Sequence, residues 1–215
     1  MSHFITLVFT KEEGRTVEEL LAPYDENIVV APYIKYTREQ AIAKTRKEIE
    51  EYKNGTYARY LENPEKYAED CSNEKHLHYL REEFPKKMNW TDDECYEDVA
   101  SWYEDDDKDE EGNLYSTYNP NSKWDWYSIG GRWNGYLKTL SGEPTNEDYA
   151  SEIDWTETVP FAFISPDGRW HERGEMGWWA CVSNEKDKDS WEIEFKNFIS
   201  SLEEDVVVTA VDCHI

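Results

Sequence analysis

The stretch HFITLVF, residues 3–9, is almost entirely apolar and decides the fold class. Its length is that of a strand, and apolar side chains at consecutive positions are typical of a strand that is buried on both faces. A second run of this kind, VVVTAVDCHI, lies at 206–215. We therefore predict a buried strand at 3–9 and a terminal strand at 206–215, with the rest of the chain between them.

Two segments of the capping-box type predict where helices begin: TREQ at 37–40 and TDDE at 91–94. The helix that follows the first segment is expected to extend to Lys53 and to end at the Asn-Gly pair after it. The helix that follows the second is expected to reach about Tyr103, with Trp102 facing inward. The middle of the chain is therefore predicted to be helical.

The second half of the chain is predicted to contain more strands. TVPFAFISPDGRWHER at 158–173 is typical of a hairpin that turns at Pro-Asp-Gly, MGWWACV at 176–182 of a strand, and 190–202 of an amphipathic helix. The expected fold class is α+β: a mostly antiparallel sheet packed by helices, with a helix-rich acidic insertion. We predict a single α+β domain over 1–215, within which 54–113 form the acidic helical elaboration.

The composition limits the classes of partner. The formal net charge is −25 at pH 7 and 15% of the residues are aromatic, which indicates an acidic protein that folds around an aromatic-rich core. This charge repels phosphate groups and lipid headgroups and attracts basic surfaces. We therefore expect a basic protein as the partner, and neither direct nucleic-acid binding nor membrane binding.

Cysteine usage and the lack of known motifs limit the location and the chemistry. Cys71, Cys95, Cys181 and Cys213 form no C-x-x-C pair, and residues 1–14 show no basic leader or small-residue cleavage site. No stretch reaches the roughly 20 apolar residues of a membrane span. The sequence contains no phosphate-cradling loop, nucleophile elbow or zinc-protease motif. It predicts a cytoplasmic protein without a cofactor or a metal ion.

The densest charge of the chain lies in residues 92–111, where twelve Asp and Glu side chains accompany one lysine. Carboxylates at this density imitate duplex DNA, which carries about one charge per 1.7 Å of axis, and would occupy the basic groove of a nucleic-acid-handling protein. A solvated face that keeps an aromatic-rich protein soluble explains the same composition. A calcium-loop-like start at 107–113 is incomplete, because Tyr118 stands where the bidentate glutamate belongs. The candidate partner-binding residues are Asp92, Asp93, Glu97, Asp98, Glu104, Asp105, Asp106, Asp107 and Asp109.

The stretch WDWYSIGGRW, residues 124–133, combines aromatic side chains with a Gly-Gly turn. Gly130 and Gly131 let the backbone adopt positive φ or let another segment approach closely. Arg132 is suited to cation–π stacking on the next side chain or to pairing with Asp125. The stretch is either a structural corner or the wall of a ligand site. The candidate wall residues are Trp124, Trp126 and Trp133.

A further set of candidates has the residue types of acid–base chemistry. Strand alternation places Asp212 and His214 on one face and Cys213 on the other, towards the core. His171 and Glu172 are adjacent and point to opposite faces, so they reach the first pair only through the fold. A hydrolytic site would need these residues to converge, whereas histidines satisfied by structural partners are the alternative. The candidate catalytic residues are His171, Glu172, Asp212, His214 and Arg132.

Five blocks of the sequence resemble a group of uncharacterised bacteriophage and prophage proteins. The blocks are MSHF at 1–4, LAPYDEN at 21–27, STYNPNSKWDWYSIGGRWNGY at 116–136, DGRWHERGEMGWWACVS at 167–183 and VDCHI at 211–215. The resemblance implies a small accessory phage protein that acts inside an infected bacterium. It implies no catalytic role for any residue.

These observations lead to one main hypothesis and two alternatives. We expect an acidic phage accessory protein that binds and inhibits a basic, nucleic-acid-handling host defence protein of the restriction or CRISPR type by imitating a polyanion. The first alternative is a small phage hydrolase, nuclease or nucleotide-processing enzyme that uses the His, Asp and Arg candidates. The second is a structural or regulatory phage protein whose acidity is incidental.

Overall fold

The computed structural model describes residues 2–177 and 181–215. The chain forms two compact units: unit 1 comprises Met1–Val30 and Tyr118–Ile215, and unit 2 comprises Ala31–Thr117. Helices and mostly antiparallel strands make the fold α+β, as predicted. The segment 54–113, predicted as a helical elaboration, lies inside unit 2.

The described strands and helices are numbered along the chain. The strands are β1 (His3–Lys11), β2 (Val29–Tyr36), β3 (Leu114–Tyr118), β4 (Trp126–Ile129), β5 (Leu137–Lys138), β6 (Pro144–Thr145), β7 (Glu147–Tyr149), β8 (Ala162–Ile164), β9 (Trp170–Glu172), β10 (Glu175–Met176), β11 (Val182–Ser183) and β12 (Val206–His214). The helices are α1 (Val17–Leu21), α2 (Arg38–Tyr52), α3 (Ala58–Glu62), α4 (Pro64–Asp70), α5 (Glu74–His78), α6 (Phe84–Lys87), α7 (Asp92–Ala100) and α8 (Lys188–Ser200). In the described part of the chain, no helix is both long and apolar enough to cross a membrane.

The largest sheet lies in unit 1 and has β1 and β12 at its centre. Its strand order is β4-β12-β1-β8-β9, and β7 also pairs with β12. β1 and β12 are antiparallel from His3 opposite His214 to Lys11 opposite Val206, whereas β8 runs parallel to β1. Residues 4–9 of β1 and 208–214 of β12 are buried at consecutive positions, so both faces of each central strand are covered. The predicted buried strand at 3–9 and the predicted terminal strand are confirmed.

Helix α8 covers one face of this sheet. Trp191 and Phe195 of the helix are buried, and Phe198 stacks on Phe163 of β8 with the ring centroids 4.4 Å apart. Phe9 of β1 meets the Phe198 ring edge-on, at 4.9 Å between centroids. The helix therefore supplies the apolar layer that this sheet face needs, and the predicted amphipathic helix is confirmed.

Unit 2 is built mainly from helices. Both predicted capping boxes are present, TREQ at the start of α2 and TDDE at the start of α7. Side chains of α2 and α7 share a buried apolar cluster, and the buried hydroxyl of Thr45 donates to the carbonyl oxygen of Cys95 at 2.9 Å. The two helices with the clearest start signals thus form the centre of this unit.

Two predicted helix ends are wrong. The Asn-Gly pair after α2 does not end the helix, because Gly55 lacks positive φ and the chain continues through a π-helical turn, Lys53–Tyr57, into α3. Helix α7 ends at Ala100 instead of near Tyr103, and the N–H groups of Trp102 and Tyr103 donate to carbonyl oxygens only three residues back. This tighter turn moves Trp102 off the buried stripe, so that it is 87% exposed instead of facing inward.

The prediction of one strand over 176–182 is also wrong. Met176 of β10 pairs with Val182 of β11 in an antiparallel ladder, so the chain reverses direction between them. Residues 178–180, which the prediction included, lie outside the described residues. The predicted hairpin at 158–173 is confirmed, because β8 and β9 pair antiparallel across the Pro-Asp-Gly turn.

Candidate functional site

Side chains from β1, β4 and β12 meet at one end of the sheet of unit 1. The register places His3 of β1 and Trp126 of β4 opposite His214 of β12. Asp212 shares this face with His214, as strand alternation predicts, and Cys213 faces the core. Burial raises the pKa of the Cys213 thiol to about 12. The thiol is therefore neutral at physiological pH and is not a nucleophile.

Two histidine–aspartate pairs form the His–Asp cluster: His3, Asp125, Asp212 and His214. His3 Nδ1 lies 2.9 Å from Asp212 Oδ1, and His214 Nδ1 lies 2.6 Å from Asp125 Oδ1. The two imidazole centroids are 4.9 Å apart, and Trp126 stacks on His214 at 5.0 Å. A carboxylate at Nδ1 selects the tautomer of a neutral imidazole that leaves Nε2 as a proton acceptor. The cluster therefore has the geometry that orients histidine for accepting hydrogen bonds or protons.

The Gly-Gly turn after β4 holds the Asp212 carboxylate from the other side. Gly130 and Gly131 have φ of +70° and +50°, and the N–H of Arg132 donates to Asp212 Oδ2 at 2.9 Å. A Cβ atom at Gly131 would lie 2.5 Å from both Asp212 Oδ2 and the Ser128 hydroxyl oxygen. The turn thus requires glycine, both for its positive φ and for its close approach to the carboxylate.

The main chain of Arg132 reaches the His–Asp cluster, and its side chain is exposed. Asp125, one of its two predicted partners, is bound to His214 instead. The reason is the path of the chain: after Gly130 it enters a 3-10 turn at Gly131–Trp133, which aims the N–H at the sheet. Arg132 is therefore part of the site through its backbone.

His171 and Glu172 do not join the cluster. They lie on β9, at the edge of the sheet, and β8 and β1 separate β9 from β12. The His171 ring stacks on Phe163 with centroids 4.4 Å apart, and Glu172 pairs with Lys123 at 2.6 Å. Of the catalytic candidates, Asp212, His214 and the backbone of Arg132 therefore belong to one cluster. His171 and Glu172 lie apart from it.

The environment of His171 predicts a pH dependence of stability. Burial lowers the pKa of its imidazole below the ordinary 6.5, against the opposing charges of Glu194 and Asp167. Because the folded-state pKa is depressed, the neutral ring stabilises the fold fully above about pH 6.5, and this contribution is lost as the pH falls through the folded-state pKa. We expect the urea midpoint of unfolding to fall on acidification, and to fall less in His171→Gln. The control is His78→Gln at an exposed position, and an equal change in both variants would contradict the assignment.

The three tryptophans of the predicted ligand wall lie in three different environments. Trp124 is buried, and its indole N–H donates to the Leu21 carbonyl oxygen at 3.2 Å. Trp126 is partly exposed and covers one ring of the His–Asp cluster. Trp133 packs at the edge of the core and lines a cavity of about 420 Å³ that His3 also lines. Trp124 therefore belongs to a structural corner, and Trp133 faces a cavity with room for a ligand.

The acidic candidates of unit 2 divide into paired and unpaired carboxylates. Four are paired within the unit, as Asp92–Arg46, Asp93–Arg38, Asp98–Lys87 and Asp105–Lys108. Asp109 accepts hydrogen bonds from the side chain and main chain of Asn113, which lower the pKa of its carboxyl. Within the described ranges, Glu97, Glu104, Asp106 and Asp107 form no ion pair within 4.0 Å. These four candidates without an ion pair thus lie within residues 97–107, here called the acidic segment.

Trp102 lies in the middle of the acidic segment and is 87% exposed. Aromatic side chains are large apolar groups that proteins usually bury, and Trp is enriched where protein interfaces derive most of their affinity. Sequence reasoning missed this feature because α7 was expected to continue through Trp102 and to turn it inward. An exposed indole among free carboxylates is the unusual surface feature of unit 2.

His3 is the other candidate that the sequence reasoning did not single out. It lies in the apolar run that predicts β1, and it enters the site because β1 pairs with β12 from end to end. The available signal was the pairing of the two buried strands, which in antiparallel register places His3 opposite His214.

In the described residues, neither a set of metal ligands nor similarity to a known protein indicates what the candidate site does. Within residues 2–177 and 181–215, no group of three or more His, Cys, Asp and Glu side chains is placed to hold a metal ion. Comparisons with protein-family models, with curated proteins and with solved structures find no match. The function is therefore inferred from the chain's own residues.

Proposed function

We propose that this protein binds a basic, nucleic-acid-handling protein through the acidic segment of unit 2 and blocks the surface on which that protein holds phosphates. In the setting that the phage resemblance implies, the partner is a host defence protein of the restriction or CRISPR type in the bacterial cytoplasm. The observation that carries the proposal is the exposed Trp102 among unpaired carboxylates.

The indole and the carboxylates have complementary roles in such an interface. Exposed carboxylates attract a basic surface over several ångströms and raise the association rate, but a solvated acidic face alone supplies little affinity. A tryptophan that becomes buried between two proteins supplies the affinity, and the surrounding charges select the partner. Trp102 and its neighbours combine both properties in one short segment.

Three unpaired carboxylates of the acidic segment are exposed to solvent. Glu104, Asp106 and Asp107 lie on an exposed loop that contains a short 3-10 turn at Asp105–Asp107. Their charges are not neutralised by described lysine or arginine side chains within 4.0 Å. They therefore remain available to the cations of a basic groove.

The test is competition with labelled duplex DNA for a purified restriction endonuclease or CRISPR effector of the host bacterium. We expect the affinity of the protein to fall about tenfold or more between low and high salt, because charge attraction is screened. The triple variant Glu104→Gln, Asp106→Asn, Asp107→Asn is expected to lose about tenfold or more at low salt, since each lost charge pair weakens the association.

The control neutralises three exposed carboxylates of unit 1, in the triple variant Glu13→Gln, Glu157→Gln, Glu204→Gln. Both triple variants change the net charge by the same amount, so a difference between them reports on the acidic segment and not on total charge. Salt-independent binding, or full competition by the variant of the acidic segment, would contradict the proposal.

An enzymatic role is the second candidate, and one observation supports it. Asp212 accepts a hydrogen bond from the backbone N–H of Arg132 and binds His3, which lines a cavity. A His–Asp pair beside a cavity is an arrangement that moves protons in hydrolytic enzymes. This candidate differs from the hydrolase predicted from the sequence, because His171 and Glu172 lie elsewhere.

A further inference from the structure

We propose that the cavity beside His3 in unit 1 binds a small planar aromatic anion that carries an N–H or O–H donor on its ring. The volume of the cavity is about 420 Å³, which lies in the lower part of the range for small-molecule sites. A mononucleotide and an indole carboxylate are ligands of this class. The inference is independent of the acidic segment, which belongs to unit 2.

The aromatic walls of the cavity are held in place. The Tyr136 hydroxyl donates to the Val159 carbonyl oxygen at 3.0 Å, and burial raises the pKa of this phenol to about 12, so it remains neutral. The Trp191 indole N–H donates to the Pro160 carbonyl oxygen at 2.8 Å. Because both rings are fixed before a ligand arrives, little side-chain entropy is lost on binding, and a flat ring has apolar surfaces to pack against.

Cationic groups stand at the same cavity, in a protein that is otherwise strongly acidic. Arg173 and Lys188 line it, and Lys188 is exposed at the first turn of α8. Glu192 also lines the cavity, but its carboxylate is engaged by Lys196 at 2.6 Å. Arg173 is likewise paired, with Glu185 at 2.8 Å. Among the described residues, Lys188 is therefore the cation of this wall without an ion pair within 4.0 Å, and it favours an anion.

Two N–H donors of the wall also lack acceptors. Among the described residues, no hydrogen-bond partner is found for the buried Nε1 of Trp133 or for the buried Nε of Arg173. Buried donors without an acceptor are costly in a folded protein. Both atoms are closed to solvent, so they are a feature of the wall and not contacts for a ligand.

The His3 imidazole supplies a hydrogen-bond acceptor, which favours a ligand whose ring carries an N–H or O–H donor. Its Nδ1 is bound to Asp212, whose second oxygen is bound to the N–H of Arg132. In the tautomer that this pairing favours, Nε2 is the acceptor of the ring. The ligand class therefore combines a planar ring, a negative charge for Lys188 and a hydrogen-bond donor for His3.

The experiment is isothermal titration calorimetry of the full chain with AMP, GMP, UMP and indole-3-carboxylate. We expect at least one of them to bind with a Kd below about 1 mM. Adenosine, indole and inorganic phosphate are expected to bind with Kd values at least about tenfold higher. A preference for the nucleotides or for the carboxylate identifies the source of the ligand. Lys188→Gln is expected to weaken binding about fivefold or more, because a charge contact is lost. The control is Lys138→Gln, which removes the same charge outside the cavity.

A second measurement follows the imidazole NMR signals of the unmodified protein during the same titration. The His3 signals are expected to shift and those of the exposed His78 to remain unchanged. Lack of binding by all four anions at about 5 mM would overturn the proposal, as would equal binding of the uncharged analogues. An unchanged His3 signal on saturation, or equal affinities of the two lysine variants, would also overturn it.

Discussion

Replacing Gly131 by alanine is expected to destabilise the protein by about 3–5 kcal/mol, which places it among the largest effects of a single substitution. The new Cβ atom would lie 2.5 Å from the buried Asp212 carboxylate and from the Ser128 hydroxyl, at a φ of +50°. Relief of this overlap breaks the hydrogen bond from the Arg132 N–H to Asp212, which leaves a buried carboxylate short of a donor. Urea denaturation measures the change in the free energy of unfolding.

The control for this substitution is Gly142→Ala. Gly142 also has positive φ, at +88°, but a Cβ atom there would have nothing within 4 Å. Its replacement is expected to cost about 1 kcal/mol from backbone strain alone. If both alanine variants lose the same stability, the close approach of the turn to Asp212 is not what holds this end of the sheet together.

Trp102→Ala is expected to weaken binding to the basic partner by about 2–4 kcal/mol, the range for a central aromatic residue of an interface. Because Trp102 is 87% exposed in the free protein, the free energy of unfolding should change by less than about 0.5 kcal/mol. The affinity is measured by the competition with duplex DNA described above, and the stability by urea denaturation of the same preparation.

Leu140→Ala provides the comparison for Trp102→Ala. Leu140 is also a strongly exposed apolar residue, but it lies in unit 1. We expect its replacement to leave the affinity unchanged. An affinity loss of the same size in both variants, or no loss in Trp102→Ala, would show that Trp102 is not the anchor of the interface.

The central strands and the helix starts were predictable because their signals are local. A mostly apolar run of strand length is typical of a strand that is buried on both faces, and HFITLVF and VVVTAVDCHI occupy the centre of the sheet. The capping boxes require only a hydroxyl and a side chain three residues later, so the starts of α2 and α7 follow from the sequence.

The helix ends were not predictable in the same way. An Asn-Gly pair ends a helix only when the glycine adopts positive φ, and the conformation of Gly55 depends on the packing of the segments that follow. Trp102 turns outward because α7 tightens after Ala100, a change in hydrogen bonding that the spacing of apolar residues does not reveal. The exposed indole that supports the proposed function was therefore hidden from the sequence.

The composition of the site depends on the order of strands across the sheet. Alternation along β12 predicts that Asp212 and His214 share a face, and it says nothing about which strand lies beside β12. The neighbouring strand is β1, which brings His3 to Asp212, whereas β9, with His171, lies at the far edge. The pairing of Asp92, Asp93 and Asp98 with cations of unit 2 likewise follows from packing. Asp105 and Lys108, in contrast, are three residues apart in the sequence.

The most direct test of the proposed function is the stoichiometry of inhibition. A fixed amount of the host restriction endonuclease or CRISPR effector is titrated with the protein, and the remaining DNA-binding activity is measured after equilibration at low salt. A protein that occupies the phosphate-binding surface is expected to abolish that activity near one-to-one, with an endpoint proportional to the amount of target. Loss of activity at far less than one equivalent, increasing with time, would show turnover and would contradict inhibition by occupancy.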